Sequence, residues 1–202
     1  MGRRSIHSPE QLRELIVQAA TEIIQQDGLE GLSAREIATR INYSPGTLYN
    51  VFENLDDLLL TIEARLLDQL GERLANVDDS GPPADRVVRL AAAYVAFAQE
   101  NPKLWGLIVE HRLPTGHTIP SWYESKLESL LVPLQQALAP MVKETANGSP
   151  DAARTLWAGI HGVTALTTAS KLTPLTGQAG AAMVGDLVST YLAGLSRRSG
   201  LG

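Results

Sequence analysis

The chain has 202 residues, 44% hydrophobic and 19% charged, with no cysteine and a formal net charge of −5. It is long enough to bury a sizeable core; the lack of cysteine removes disulfides, thiolate metal sites and thiol nucleophiles, and four scattered histidines leave no cofactor or metal centre to be expected. The negative balance excludes a protein that coats nucleic acid through a broad basic surface, but leaves a compact site-specific motif open.

Apolar residues recur at helical spacing almost throughout, and no sustained alternation marks a strand, so an all-α protein is expected. A first helix opens with the capping box Ser8-Pro9-Glu10-Gln11, turns Leu12, Leu15, Ile16, Ala19, Ala20, Ile23 and Ile24 inward, and stops at Gly28. Two short helices of about seven residues follow, one announced by Ser33-Ala34-Arg35-Glu36 and the other by Ser44-Pro45. Asn42 stands at the turn between them, and Asn tolerates the left-handed conformation better than any residue but Gly. A fourth helix is expected from about Asn54 to Val77, with Asp56 and Asp57 favourably placed at its N-terminal dipole.

Asp78 to Pro83 combines charge, glycine and a proline pair and is the best internal boundary. Beyond it helices are expected at 84–100, 102–113, 120–145, 150–173 and 178–196, with Pro133 and Pro140 kinking or splitting the third. The longest run without Asp, Glu, Lys or Arg, Thr155 to Ser170, is too short to cross a bilayer and carries His161 and threonines. No signal-peptide core follows the two N-terminal arginines, so a cytoplasmic protein with no membrane partner is expected.

Two short helices joined by a tight turn match a helix-turn-helix, whose second helix enters the major groove of DNA. Spacing turns Ile37, Ala38 and Ile41 of the first and Leu48, Val51 and Phe52 of the second inward, together with Leu55. Ser44, Gly46, Thr47 and Asn50 are left facing out. Asn can pair with adenine, Thr can reach a thymine methyl, and the hydroxyls of Ser44 and Tyr49 suit phosphate oxygens. The same pattern also serves a pair of capped helices in an α-bundle with a solvated polar face.

Residues 11–60, and above all LSAREIATRINYSPGTLYNVFENLDDLLL, resemble the N-terminal domain of TetR-type transcriptional regulators. That family usually has Gly where this chain has Asn42, and Lys where it has Leu55. Residues 1–60 carry only five basic side chains, Arg3, Arg4, Arg13, Arg35 and Arg40, against nine acidic ones. Phosphate contacts are therefore expected from Arg3 and Arg4 on an N-terminal arm and from Arg35 at the start of its helix. The resemblance implies a helix-turn-helix domain over 1–54, a linking helix over 55–77, and a helical effector-binding and dimerisation domain over 78–202.

In that larger region TLWAGIHGVTALTTA resembles the Trp-His-Gly signature of one C-terminal subclass, through Trp157, His161 and Gly162. Ala158, Gly162, Ala165 and Ala169 form a small-residue stripe, and Ala181, Val184, Val188, Leu192 and Leu195 an apolar one; either can serve a core within the chain or a homodimer interface. Tyr94, Phe97, Trp105, His111, Trp122, Trp157 and His161 are candidates for an effector pocket, with ordinary core packing as the alternative. No phosphate-binding loop, nucleophile elbow or zinc-protease helix is present, so an enzyme is not expected, although His161 or His111 would be the residues of one. The expected function is that of a homodimeric, operator-binding repressor released by a small-molecule effector. The alternative is a helical ligand carrier or protein-interaction module that has lost DNA binding.

Overall fold

The computed structural model describes residues 7–142, 148–168 and 180–199, and every regular element among them is helical. Internal contacts gather the chain into two units, Met1–Leu66 with Lys103–Ile119, and Leu67–Pro102 with Pro120–Gly202. The first therefore takes in a segment that lies far along the chain, on the C-terminal side of the boundary at Asp78.

In the first unit α1 spans Pro9–Asp27. Its capping box is complete: the Gln11 N–H donates to Ser8 Oγ at 3.2 Å and the Ser8 N–H to Gln11 Oε1 at 2.8 Å. Leu12, Ile16, Val17, Ala19, Ala20, Ile23 and Ile24 are buried, whereas Leu15, expected inside, is half-buried and Val17 takes that place. After Gly28, a single 3₁₀ turn over Leu29–Gly31 leads to α2, Ala34–Arg40, where Ser33 Oγ accepts from the Glu36 N–H at 3.1 Å. The turn after α2 closes with two bonds, Tyr43 N–H to the Ala38 carbonyl at 2.9 Å and Asn42 N–H to the Thr39 carbonyl at 3.2 Å. This is the pairing of a Schellman cap. It requires a left-handed residue, and Asn42, at φ 60°, supplies it.

The next helix, α3, is Pro45–Leu48, shorter than the expected seven or so residues. Past Leu48 the bonds tighten to Asn50 N–H on Thr47 O and Val51 N–H on Leu48 O, and the chain turns so that Phe52 enters the core. The long α4, Leu55–Ala75, begins in this unit and buries Leu58, Leu59, Ile62 and Leu66 there. Most of α6, Pro102–Glu110, also belongs here: Leu104, Trp105 and Leu107 are buried, and Lys103 donates to the Gln26 carbonyl in the last turn of α1.

The second unit holds the end of α4, then α5 (Pro83–Glu100), α7 (Ser121–Leu138), a 3₁₀ turn (Ala139–Met141), α8 (Gly148–Thr168) and α9 (Gly180–Ser199). In this numbering α5 packs on α7, α8 and α9, and α8 packs on both α7 and α9. Pro133 lies within α7 without splitting it, and the break falls at the turn containing Pro140, where the missing N–H and fixed φ oppose a further α-turn. Gly159 of α8 faces α9, where an added Cβ would stand 2.9 Å from Leu187 Cδ2, and Tyr191 of α9 donates its hydroxyl to the Ala152 carbonyl at 3.0 Å. No helix among the described residues is long and apolar enough to cross a membrane.

Candidate nucleic-acid interface and apolar cavity

The outer face of the α2–turn–α3 segment is polar for a local reason. Ile37, Ala38, Leu48 and Phe52 are buried beneath it, which leaves Ser44, Gly46, Tyr49 and Asn50 exposed. Tyr49 is 56% exposed, high for an aromatic ring. Ile41 and Val51, expected inward, are half-buried, as is Leu55. Thr47 is also half-buried, and its Oγ1 shares a 3.0 Å hydrogen bond with Ser44 Oγ across the first turn of α3. A Cβ added at Gly46 would meet nothing within 4 Å, so the fold itself does not demand glycine there.

Arg35 is exposed on α2. Arg40 donates to Gln26 Oε1 at 3.0 Å and lies 3.9 Å from Glu36. Arg3 and Arg4 lie outside the described residues.

Behind α3 stands a residue whose place sequence reasoning missed. Arg13 of α1 sets its guanidinium over the Phe52 ring and donates to the Val51 carbonyl at 3.4 Å and to Thr61 Oγ1 at 3.1 Å. It therefore ties α1 and α4 to the end of the α3 segment, and no local spacing signals a contact spanning so many residues.

In the second unit Tyr94 of α5 and His161 of α8 share a 2.7 Å hydrogen bond, and Trp157 stacks on His161 with ring centroids 5.2 Å apart. Burial pushes the Tyr94 phenol above its ordinary value and holds the His161 imidazole below its own, so both are neutral near pH 7. Tyr94 and Trp157 line a cavity of about 30 Å³ whose other walls are Leu74, Leu90, Ala91, Leu130, Leu131, Pro133, Leu134 and Ile160. Among the described residues no charged side chain lines it. A roomier cleft of about 160 Å³ lies between α5 and α9 and includes Ala181 and Val188, but none of the candidate effector residues.

The remaining candidates are dispersed. Phe97 is buried in α5; Trp122 is 45% exposed and packs edge-on against Tyr123; Trp105 and His111 belong to the first unit. There His111 bonds Glu63 and Asp56, an arrangement missed in the sequence. A signal for it existed in Glu63, a carboxylate among the buried α4 residues Leu59, Ile62 and Leu66, where burial calls for a partner.

Of the stripes considered for a dimer, Ala158 is exposed, Gly162 and Ala165 are half-buried, and Ala181 is exposed. Val188 and Leu192 are instead buried within the chain, since α9 turns its apolar side onto α5 and α8. Ala169 lies outside the described residues.

A polar, tightly turned helix pair with a buried back defines a helix-turn-helix protein, and comparisons with known proteins identify its kind. Residues 16–62 match the family model for bacterial regulatory proteins of the tetR family, and residues 87–191 match the tetracyclin repressor-like C-terminal domain. The uncharacterized HTH-type transcriptional regulator Rv0681 of Mycobacterium tuberculosis is 25% identical over 97% of this chain and 87% of its own. The HTH-type nicotine-responsive transcriptional repressor HdnoR of Paenarthrobacter nicotinovorans is 30% identical over 59% of this chain and 67% of its own. A tetR-family transcriptional regulator from Streptomyces coelicolor superposes with a TM-score of 0.67 at 16% identity, over 98% of this chain and 90% of that one. The chain belongs to the TetR family of DNA-binding transcriptional regulators. Its relatives are regulators of transcription, not enzymes.

Proposed function

We propose that the protein is a homodimeric repressor whose hold on operator DNA is released by a small, largely apolar effector bound beside Tyr94, Trp157 and His161. What carries this reading is the Tyr94–His161 hydrogen bond set at the wall of a charge-free cavity. A few convergent polar groups in an apolar surround are the usual form of a small-molecule site. With no charged group in the lining, the buried part of the effector is uncharged and offers one hydrogen-bonding group to the Tyr94–His161 pair. A cavity of about 30 Å³ admits little more than water, so the effector must move its walls apart. One of those walls is Leu74, near the end of the same α4 that starts just after the α3 segment. If the widened arrangement shifts α4 and so sets the two recognition segments at another spacing, an effector that binds it better must, by linkage, weaken DNA binding.

At the DNA, Asn50 and Thr47 are assigned to base edges, Ser44, Tyr49 and Arg35 to phosphates, and Gly46 to the close approach of the backbone, with Arg3 and Arg4 as further phosphate contacts. The face of α8 that carries exposed Ala158 and half-buried Gly162 and Ala165, together with exposed Ala181 of α9, is assigned to the dimer. Two recognition segments then meet half-sites about 34 Å or a multiple apart. The relative HdnoR is a nicotine-responsive repressor, consistent with the class of mechanism though not with any particular effector here.

The test is selection of duplexes by the purified protein from a random-sequence library, followed by a screen for small neutral molecules that release the selected duplex. A palindromic duplex, bound as a dimer and released by a compound that quenches Trp157, is the expected result. If no duplex is enriched, the carrier or interaction module is the better reading.

A further inference from the structure

We propose that His111 is a positioning residue for operator binding: as an imidazolium bridging Glu63 and Asp56, it fastens the end of α6 to the first turns of α4, the helix that directly follows the recognition segment. His111 Nδ1 lies 2.6 Å from Glu63 Oε1, and His111 Nε2 lies 3.1 Å from Asp56 Oδ1. Both partners, when ionised, can only accept hydrogen bonds, so both ring nitrogens must carry a proton for both bonds to form. A neutral imidazole has one N–H and must give up one of the two.

The site is dry enough for this to matter. The side chains of His111 and Glu63 are 7% and 5% exposed, while that of Asp56 is 33% exposed. Deprotonation of the ring takes a cation away from the Glu63 carboxylate, in a place so buried that the loss of a charge partner is costly. The charged groups acting on the ring are Glu63 and Asp56, both from α4, and together they hold the imidazole above its ordinary range against the opposing effect of burial.

The consequences for DNA binding run through α4. Asp56 is adjacent to Asp57, whose N–H donates to Asn54 Oδ1 at 2.9 Å and whose Oδ2 accepts from the Glu53 N–H at 3.2 Å. Thr61, which donates to the Asp57 carbonyl at 2.8 Å, also accepts from Arg13, the residue that grips Val51 and Phe52. Loss of the His111 proton therefore loosens the start of α4 at the point from which the end of the α3 segment is held. Because the proton is bound in the operator-competent form, affinity is full below the ordinary imidazole range and declines as pH rises through the raised value.

The inference rests on the protein binding DNA, and the experiment separates the two. Fluorescence anisotropy would follow binding of the full chain to a duplex it has selected from a random library, between about pH 6 and pH 9. Operator affinity is expected to fall by about tenfold per pH unit per subunit at most, over the span where His111 deprotonates. The diagnostic quantity is the difference between the wild type and His111→Gln, which should bind more weakly at low pH and lose most of the alkaline decline. Should that variant fail to fold, Asp56→Asn, at the more exposed partner, is expected to move the midpoint of the decline to lower pH. Identical pH profiles for the wild type and the variant that folds would overturn the proposal alone, whereas failure to select any duplex would overturn the DNA-binding reading and this proposal with it.

Discussion

The guanidinium carbon of Arg13 lies 4.2 Å from the centroid of the Phe52 ring, and Phe52 is itself buried to 1% exposure. A cation over an aromatic face in a partly desolvated place contributes about 1 to 2 kcal/mol. Here the same side chain also donates to Val51 and Thr61, so one residue fixes where the α3 segment ends. Arg13→Lys keeps the charge but loses the planar fork that reaches two acceptors. It is expected to cost about 1 kcal/mol in thermal unfolding and about tenfold in affinity for a selected duplex. Full recovery by Lys, relative to Arg13→Met, would show that charge rather than geometry is what matters.

At Asn42 the backbone alone decides the outcome. With φ at 60°, Asn42→Ala should destabilise the fold by about 1 to 2 kcal/mol, while Asn42→Gly should leave stability nearly unchanged. Denaturant titration of the two variants checks this, and equal stabilities would mean that the turn relaxes out of the left-handed region.

His161 and His111 should respond to pH with opposite signs. Burial lowers the His161 value, so its stabilising contribution is present above the ordinary imidazole range and is lost as pH falls through it, when the unfolded chain takes up the proton more readily. His111, raised by its two carboxylates, loses its contribution as pH rises. Calorimetric unfolding between about pH 5 and pH 9 should show His161→Phe flattening the acid limb and His111→Gln flattening the alkaline limb. One limb unaffected by its own variant would remove that histidine from the scheme.

Surface and core on the last two helices are separable by mutation. Ala158 is exposed, whereas Val188 is wholly buried. Ala158→Arg should therefore leave the unfolding temperature of the subunit almost intact and yield 21.7 kDa monomers in sedimentation. Val188→Ala should destabilise the chain by about 1 to 2 kcal/mol through the lost burial and cavity. A dimer that survives a bulky charge at Ala158 would place the interface elsewhere.

The caps, the turn and most helix spans were legible because their causes are local. Ser8 with Gln11, Ser33 with Glu36 and Asn42 at the turn each act within a few residues; the first capping box and the turn are found as read, whereas at Ser33 only the serine half of the box forms and the Glu36 side chain lies toward Arg40 instead. The end of α3 was not legible, since the Val51 carbonyl is taken by Arg13 from a distant helix. The aromatic and histidine cluster was legible only in part. Trp157 and His161 are one turn apart on α8, so their stacking follows from helical spacing, but no linear boundary reveals that α6 carries Trp105 and His111 into the other unit. Val188 and Leu192 show the limit of a stripe read alone: spacing establishes which side of α9 is apolar, not which partner covers it.

The side chains that hold the recognition segment and those assigned to reading DNA are different residues. Arg13, Asn42, Leu48 and Phe52 hold the segment from behind or at its turn. Tyr49 and Asn50 stand exposed, and among the described residues neither side chain is tied into the fold by a hydrogen bond. Inherited changes at these two positions therefore escape the stability threshold that purges most substitutions. After gene duplication, one copy can drift to a new operator while its fold stays under unchanged selection, so regulatory targets can diverge much faster than the scaffold that presents them.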